Sequence, residues 1–405
     1  MSDASSTIPY CPDCGPATVS HAIERWSIRA DMLVRWLTLP PQLIWEGLKP
    51  LIAPLKPGRL APFVLRAAAV LRLGTIIDKA DEQDNWRNKV LWEEAEHRGI
   101  IMKEFRPLGL PRDVFIATKN GDTRLFDGLP RPRAAKESSL SWMDNKGIIL
   151  KKFRDGGVPV PRGESIRAVA QAEKIFNEIT DDGKVGAVIV KPTIGSRSRH
   201  TYVNITDIAS LRKAFFKAKQ ISPCVVVEEE LSGFVFRITL VGGKLAGLMR
   251  REPPHVMGDG KRTITQLIEI ENKNPLRHGP IFHELHVDDD GLAILKEQKL
   301  SLNDVPEKDR MVTLHPKVSR SFGASTTEIT DIHPENQKLF LRMAAVLEDP
   351  IVGIDFMIND MAKPWQEQKC GVIECNSLPF IDLHHYPLKG PARNVAGLVW
   401  DIAFQ

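Results

Sequence analysis

Hydrophobic and polar residues follow two different periods along this chain, and each change of period marks an element. From Ile23 through Trp26, Ile28, Met32, Leu33, Trp36 and Leu37 the apolar positions recur at helical spacing, because residues three and four apart share one helix face. Pro40, Pro41, Pro54 and Pro57 cut the adjoining stretch into short helices, since proline lacks the amide donor that a helix interior needs. Residues 1–20 have no apolar period and carry Pro9, Pro12 and Pro16, which predicts a loose polar tail or a docked arm. The helical region, residues 21–80, is expected to cap the next domain or to form an oligomer contact. Its prolines argue against a long membrane helix.

Residues 81–140 read as a small α/β domain. Arg87 to Glu96 has a helical pattern, and the short apolar runs Ile100 to Met102 and Asp113 to Ala117, with an Asn120-Gly121 turn, predict strands. Pro130, Pro132 and the polar segment Lys136-Glu137-Ser138-Ser139 mark its boundary. Beyond it the pattern predicts helix 165–179, strand 186–191, helix 207–219 and strand 224–230. Next come hairpin strands 234–241 and 244–251 around Gly242-Gly243, then helices near 263–273 and 334–347, strands 351–358 and 370–376, and a closing helix 391–404. Hairpins mixed with helices point to α+β subdomains and not to one doubly wound sheet. There is no internal repeat.

Composition adds limits to that picture. With 405 residues, 42% hydrophobic and 26% charged, the chain is long enough for two or three domains with real cores. Lys and Arg number 55 against 51 Asp and Glu, a net charge of +4 that suits an anionic small ligand and makes no case for nucleic acid. No uncharged apolar run approaches the ~20 residues of a membrane span, and the N-terminus lacks the basic-then-apolar order of a signal peptide, so a soluble cytoplasmic protein is expected. Cys224, Cys370 and Cys375 sit in apolar strand-like stretches and are expected as reduced thiols packed as small hydrophobes. Cys11 and Cys14, with His21 nearby, are too few for a convincing zinc site.

The chemistry concentrates near the end of the chain. Gly353-Ile354-Asp355-Phe356 and Val372-Ile373-Glu374-Cys375-Asn376 read as neighbouring strands. Paired antiparallel, they present Asp355 on one strand and Glu374 with Asn376 on the other, because residues two apart share a face. Three oxygen ligands suit magnesium, which takes phosphate oxygens as its remaining partners.

Upstream, Met143-Asp144-Asn145-Lys146, Pro159-Val160-Pro161, Val188-Ile189-Val190-Lys191-Pro192 and Val225-Val226-Val227-Glu228-Glu229-Glu230-Leu231-Ser232-Gly233 occur in that order. Further on stand Arg250-Arg251, Pro254-His255-Val256-Met257-Gly258-Asp259-Gly260-Lys261, Gly323-Ala324-Ser325, His333-Pro334-Glu335-Asn336 and Arg393-Asn394-Val395-Ala396. With these motifs, residues from about 140 to 405 resemble ATP-grasp enzymes, and more narrowly the ATP-grasp half of cyanophycin synthetases. The resemblance implies an ATP-grasp fold, two α+β subdomains (141–232 and 233–405) sandwiching ATP, preceded by the helical region and a small pre-ATP-grasp domain. It implies ATP and Mg2+ as cofactors, with Asp355, Glu374 and Asn376 on the metal. Lys146 and Lys191 would reach the phosphates, while Glu228, Glu230 and Leu231 form the hinge at the adenine edge. Arg251, and Arg320 in a separate loop, would hold a substrate carboxylate or acyl phosphate.

Two features depart from the family pattern. The phosphate loop reads Gly195-Ser196-Arg197-Ser198-Arg199-His200, with Ser198 and His200 where glycines are expected, and Val235 replaces the acidic residue that takes the ribose hydroxyls. His384-His385-Tyr386 could line an acceptor pocket or serve packing. The resemblance implies a carboxylate-amine ligase working through an acyl phosphate on amino acids or small peptides, set against two alternatives: a non-catalytic nucleotide-binding protein and an ATP-dependent kinase. Small-molecule acid and amine substrates, a homodimer, and neither nucleic acid nor membrane complete the expectation. The chain carries neither the Mur-ligase-like half of cyanophycin synthetases nor a P-loop, so a small conjugate is expected in place of cyanophycin.

Overall fold

The computed structural model describes residues 69–82, 84–107, 113–132, 145–181, 186–195, 200–279, 281–316 and 322–405, with Tyr10, Cys11, Gly15, Pro16, Trp26, Ala67, Gly109, Met143 and Val318. Most of the expected tail and helical region therefore lies outside the described residues, as do Cys14, His21, Ser196 to Arg199 and Arg320. Near the start, β1 (Tyr10–Cys11) pairs with β2 (Gly15–Pro16).

The first continuous unit is an antiparallel sheet of β3 (Gly74–Ile77), β4 (Ile101–Pro107), β5 (Val114–Lys119) and β6 (Asp122–Asp127), paired in that order. Asn120 and Gly121 both have positive φ, 49° and 81°, the conformation a two-residue hairpin turn requires. Helix α1 (Trp86–His97) is capped by Asn85, whose side chain accepts the Asn88 N–H.

A second antiparallel sheet comes after helix α2 (Lys146–Asp155). It contains β7 (Gly163–Ile166), β8 (Val188–Pro192), β9 (Tyr202–Ile205) and β10 (Val225–Glu229), ordered β7-β10-β8-β9, with α3 (Val169–Asp181) and α4 (Ile208–Ala218) between strands. Here the helix predicted from 165 starts later: Ser165 and Ile166 pair with Val226 and Val225 as an edge strand. A four-residue strand is too short for its alternation to stand out beside a helix.

The third sheet positions the chemistry. Its hairpin is β11 (Phe234–Val241) and β12 (Lys244–Glu252), turning at Gly242 and Gly243, whose φ values are 57° and 74°. The chain then forms the small pair β13 (His255–Met257) and β14 (Met311–Thr313), with α5 (Ile264–Glu271) and α6 (Asp289–Glu297) between them. It returns through β15 (Ser325–Glu328), α7 (Pro334–Leu347), β16 (Ile351–Ile358) and β17 (Gly371–Asn376), giving the order β15-β12-β11-β16-β17. One face carries Phe236, Ile238, Leu248, Ile354 and Phe356 against Leu339, Phe340 and Met343 of α7 and Ile149 and Phe153 of α2. The other face is left for polar residues.

After the short α8 (Asp382–His385), α9 (Val395–Ala403) does not close the nearest core alone. Val395, Val399 and Trp400 join Leu91 and Trp92 of α1, Phe115 and Ala117 of β5, and Val241 and Ile351 of the third sheet in one cluster. Trp400 is 1% exposed, and its indole N–H donates to the Leu91 carbonyl at 3.1 Å. Cys224, Cys370 and Cys375 are not disulfide-bonded, the last two are buried, and burial pushes Cys370 up to about 11. Among the described residues no helix is long and apolar enough to cross a membrane.

Trp400→Ala is expected to cost about 3–5 kcal/mol, read as a lower urea midpoint. His385 supplies a pH effect at the same joint: its Nε2 accepts the Ala396 N–H at 3.0 Å. Burial, then the neighbouring His384, pushes His385 down to about 4. Its unfolded value is about 6.5, so the unfolded chain takes up the proton first and stability falls as pH drops from there toward 4. His385→Gln, which has no titrating proton, should flatten that part of a urea-midpoint-against-pH curve.

Candidate active site

Strand register builds the polar face of the third sheet. Arg237 on β11 lies opposite Asp355 on β16, and Asp355 lies opposite Glu374 on β17. Residues directly opposite share a face and approach closely. The result is a row of charge, positive then two negative, crossing three strands. Asn376 lies one pleat along, opposite Gly353.

Arg237 grips Asp355 with both ends of its fork: Nε donates to Oδ1 at 2.5 Å and Nη2 to Oδ2 at 3.1 Å. Arg251 adds Nη1 at 3.5 Å from Oδ2, and donates to the Val318 carbonyl at 3.3 Å. Burial favours loss of the Arg237 proton, but the Asp355 carboxylate outweighs it and the guanidinium is held more strongly charged than usual. Gly353 leaves room for this grip. A Cβ there would sit 3.3 Å from Arg237 Cδ and Nη1 and 2.8 Å from Pro379 Cβ. Arg250 takes the other face of β12, bonded to Glu252 at 2.6 Å and lying over the Phe234 ring.

The second sheet supplies the opposing wall. Lys191 on β8 donates to Glu228 Oε1 on β10 at 2.5 Å and reaches the Ile373 carbonyl of β17 at 3.3 Å, so one ammonium touches both sheets. Lys146, the first residue of α2, donates to the Gly195 carbonyl at 2.8 Å and lies 3.5 Å from Glu374 Oε1. Lys146, Lys191, Glu228, Leu231 and Glu374 line one pocket, with Ile189, Ile373 and Met357 as its apolar walls. Within it Glu228 Oε2 is buried and has no hydrogen-bond partner among the described residues. A buried acceptor in that state is costly unless a ligand donor meets it.

Glu230 is outside the pocket lining, and its Oε2 accepts the Asn204 N–H at 2.7 Å. Val235 faces the site in register with Arg251 and Met357. His200 is buried with φ 50°, its Nδ1 3.2 Å from the Tyr202 hydroxyl. His384 is fully buried between Glu328 Oε2 at 2.7 Å and Thr239 Oγ1 at 2.8 Å, while the Tyr386 hydroxyl donates to Glu93. Arg320 lies outside the described residues. Arg237 is the site residue that sequence reasoning does not single out. Its signal is a lone arginine two positions after Val235 in a strand whose other polar residue is Thr239.

The donor set fits a hard divalent cation. Asp355 and Glu374 face each other across adjacent strands with the Asn376 amide beyond, an oxygen-only group of the kind magnesium takes together with phosphate oxygens. Among the described residues no three histidine, cysteine or acidic side chains converge on one point. A cation here therefore needs the asparagine oxygen and ligand oxygens as well. The orphan oxygen of Glu228 fits the exocyclic amine of an adenine.

No protein-family model matches the chain. It is 31% identical over 342 residues to cyanophycin synthetase of Trichormus variabilis, covering 81% of this chain and 36% of that protein. To the glutathione biosynthesis bifunctional protein of Clostridium perfringens it is 27% identical over 282 residues, 67% of this chain and 36% of the relative. The chain thus spans about a third of the length of these relatives. A bifunctional glutathione synthetase from Pasteurella multocida shares the fold, with a TM-score of 0.59 and 22% identity over 78% of this chain and 43% of that one.

The two carboxylates should separate in stability. Asp355→Ala strands a buried guanidinium and is expected to destabilise the protein by about 3–5 kcal/mol. Glu374→Ala removes a carboxylate that is 33% exposed, and should cost about 1 kcal/mol or less. Urea denaturation of both variants without ligand checks the contrast.

Proposed function

Since this chain has the ATP-grasp fold and resembles cyanophycin synthetase over 81% of its length, we propose that it is an ADP-forming carboxylate-amine ligase. Its substrates in this reading are amino acids or small peptides. The observation that carries it is a pocket lined by Lys146, Lys191 and Glu374 and holding an unpartnered Glu228 oxygen, with Asp355 and Arg237 next to Glu374 in the strand register.

Each group then has a task. Glu228 Oε2 accepts from the adenine amine, and Leu231 borders the base. Lys146 and Lys191 balance phosphate charge from opposite walls. Asp355, Glu374 and Asn376 hold Mg2+, which when bound neutralises the triphosphate at the point of transfer. Arg251 and Arg320 orient the substrate carboxylate. A carboxylate oxygen attacks the γ-phosphorus and ADP leaves; the amine nitrogen then attacks the acyl carbon, phosphate leaves and the amine gives up a proton. No side-chain nucleophile takes part, and catalysis is positioning with charge neutralisation. A homodimer in a cytoplasmic setting completes the reading.

Val235 favours a second reading, a nucleotide-binding protein that does not turn over, because an apolar side chain stands where ribose hydroxyls would be received. One experiment separates these, and a kinase, from the ligase: ADP release measured across pairs of amino acids and short peptides. The ligase releases ADP and phosphate only with acid and amine together, and Glu374→Gln lowers that turnover about 100-fold or more. ADP release that ignores the amine means a kinase. Saturable ATP binding with no turnover in any pair means the non-catalytic reading.

A further inference from the structure

Asp355 is the residue of this site with least freedom to accept anything new. Both its oxygens already face guanidinium donors, two from Arg237 and one from Arg251. Its side chain is 5% exposed and that of Arg237 12%. Glu374, directly opposite, is 33% exposed and faces one ammonium at 3.5 Å. Half of the carboxylate pair is open and half is locked.

The lock is built into the backbone. Register places Arg237 beside Asp355 on the adjacent strand. The absence of a side chain at Gly353 lets the arginine stem lie flat against β16, in contact range of where a Cβ would be. A dication approaching alone would enter a spot ringed by Arg237, Arg251 and Lys146, three positive charges within reach of the two carboxylates. Its gain from one open carboxylate is opposed by that repulsion and by the bidentate pair it has to break. A triphosphate changes the balance. Its negative charge would compete for the guanidinium and ammonium groups and so weaken their hold on Asp355.

We propose that Arg237 is an internal counter-ion for Asp355 that keeps the divalent cation out until nucleotide phosphates are present, so that the two load together. The inference rests on Asp355, Glu374 and Asn376 being the cation ligands. Arg237 is a positioning residue in this scheme: it acts through Asp355.

The test uses Mn2+ as a paramagnetic probe on the full-length protein, with free Mn2+ followed by electron paramagnetic resonance. Titrations are run with and without a non-hydrolysable ATP analogue. Wild type should bind Mn2+ at least about tenfold more weakly without the analogue than with it. Arg237→Gln should tighten nucleotide-free binding by about tenfold and so shrink the dependence on nucleotide. Arg237→Lys, which keeps one charge without the fork, should move the same way by about threefold, and serves if the glutamine variant does not fold. Both increases should disappear when Glu374→Gln is added. Unchanged or weaker nucleotide-free binding in the folded Arg237 variants overturns the proposal, as does tight wild-type binding without nucleotide that Glu374→Gln abolishes. If Mn2+ binding with the analogue ignores both Glu374→Gln and Asp355→Asn, the ligand assignment fails, and the proposal falls with it.

Discussion

Asp355 is a charge that water scarcely reaches, and a buried carboxylate persists only where opposite charge stands beside it. Much of the third sheet can be understood as the means of meeting that demand. Arg237 is supplied by the neighbouring strand in register, Gly353 clears the space its stem occupies, and Arg251 reaches in from one strand further. The opposite face of the same strands is apolar and packed on α7 and α2. One sheet thus has a hydrophobic side that fixes its geometry and a charged side that uses it. The order of the charges on the working face is set by strand register.

The second wall obeys a different rule. Lys191 and Lys146 come from separate elements, a strand of the second sheet and the first turn of α2, and each also bonds a carbonyl of another segment. An ammonium has three donors and a flexible stem, so it can bridge two bodies without the strict alignment a guanidinium fork demands. The cleft accordingly has one side aligned by strand register, where Asp355 and Glu374 sit, and one side held by ammonium contacts to separate segments.

How far the sequence anticipates this arrangement depends on the length of each signal. Asp355, Glu374 and Asn376 are legible because they punctuate two strongly apolar strands, and period two alone puts them on one face. The hairpin at Gly242-Gly243 and the long helix α7 are legible for the same reason: many residues repeat one pattern. Strands β7, β9, β13, β14 and β15 are three or four residues long, too few to outweigh their surroundings. Arg237 escapes for a subtler reason. An arginine in a strand ordinarily faces solvent, and only the pairing of β11 with β16, a contact between residues 118 apart in sequence, reveals what it touches. Likewise a motif places Glu228, while its lack of a partner on one oxygen is a property of three-dimensional packing.

The cluster around Trp400 orders events in time as well as in space. The strands of residues 74–127 are made early, yet the core that covers them takes Val395, Val399 and Trp400 from a helix made much later. At cellular elongation rates the interval is tens of seconds. During that wait Phe115, Trp92 and Leu91 lack the cover that α9 gives them, so the nascent chain displays an apolar surface that the finished protein does not have. The arrival of α9 therefore also sets how long that surface goes without its cover.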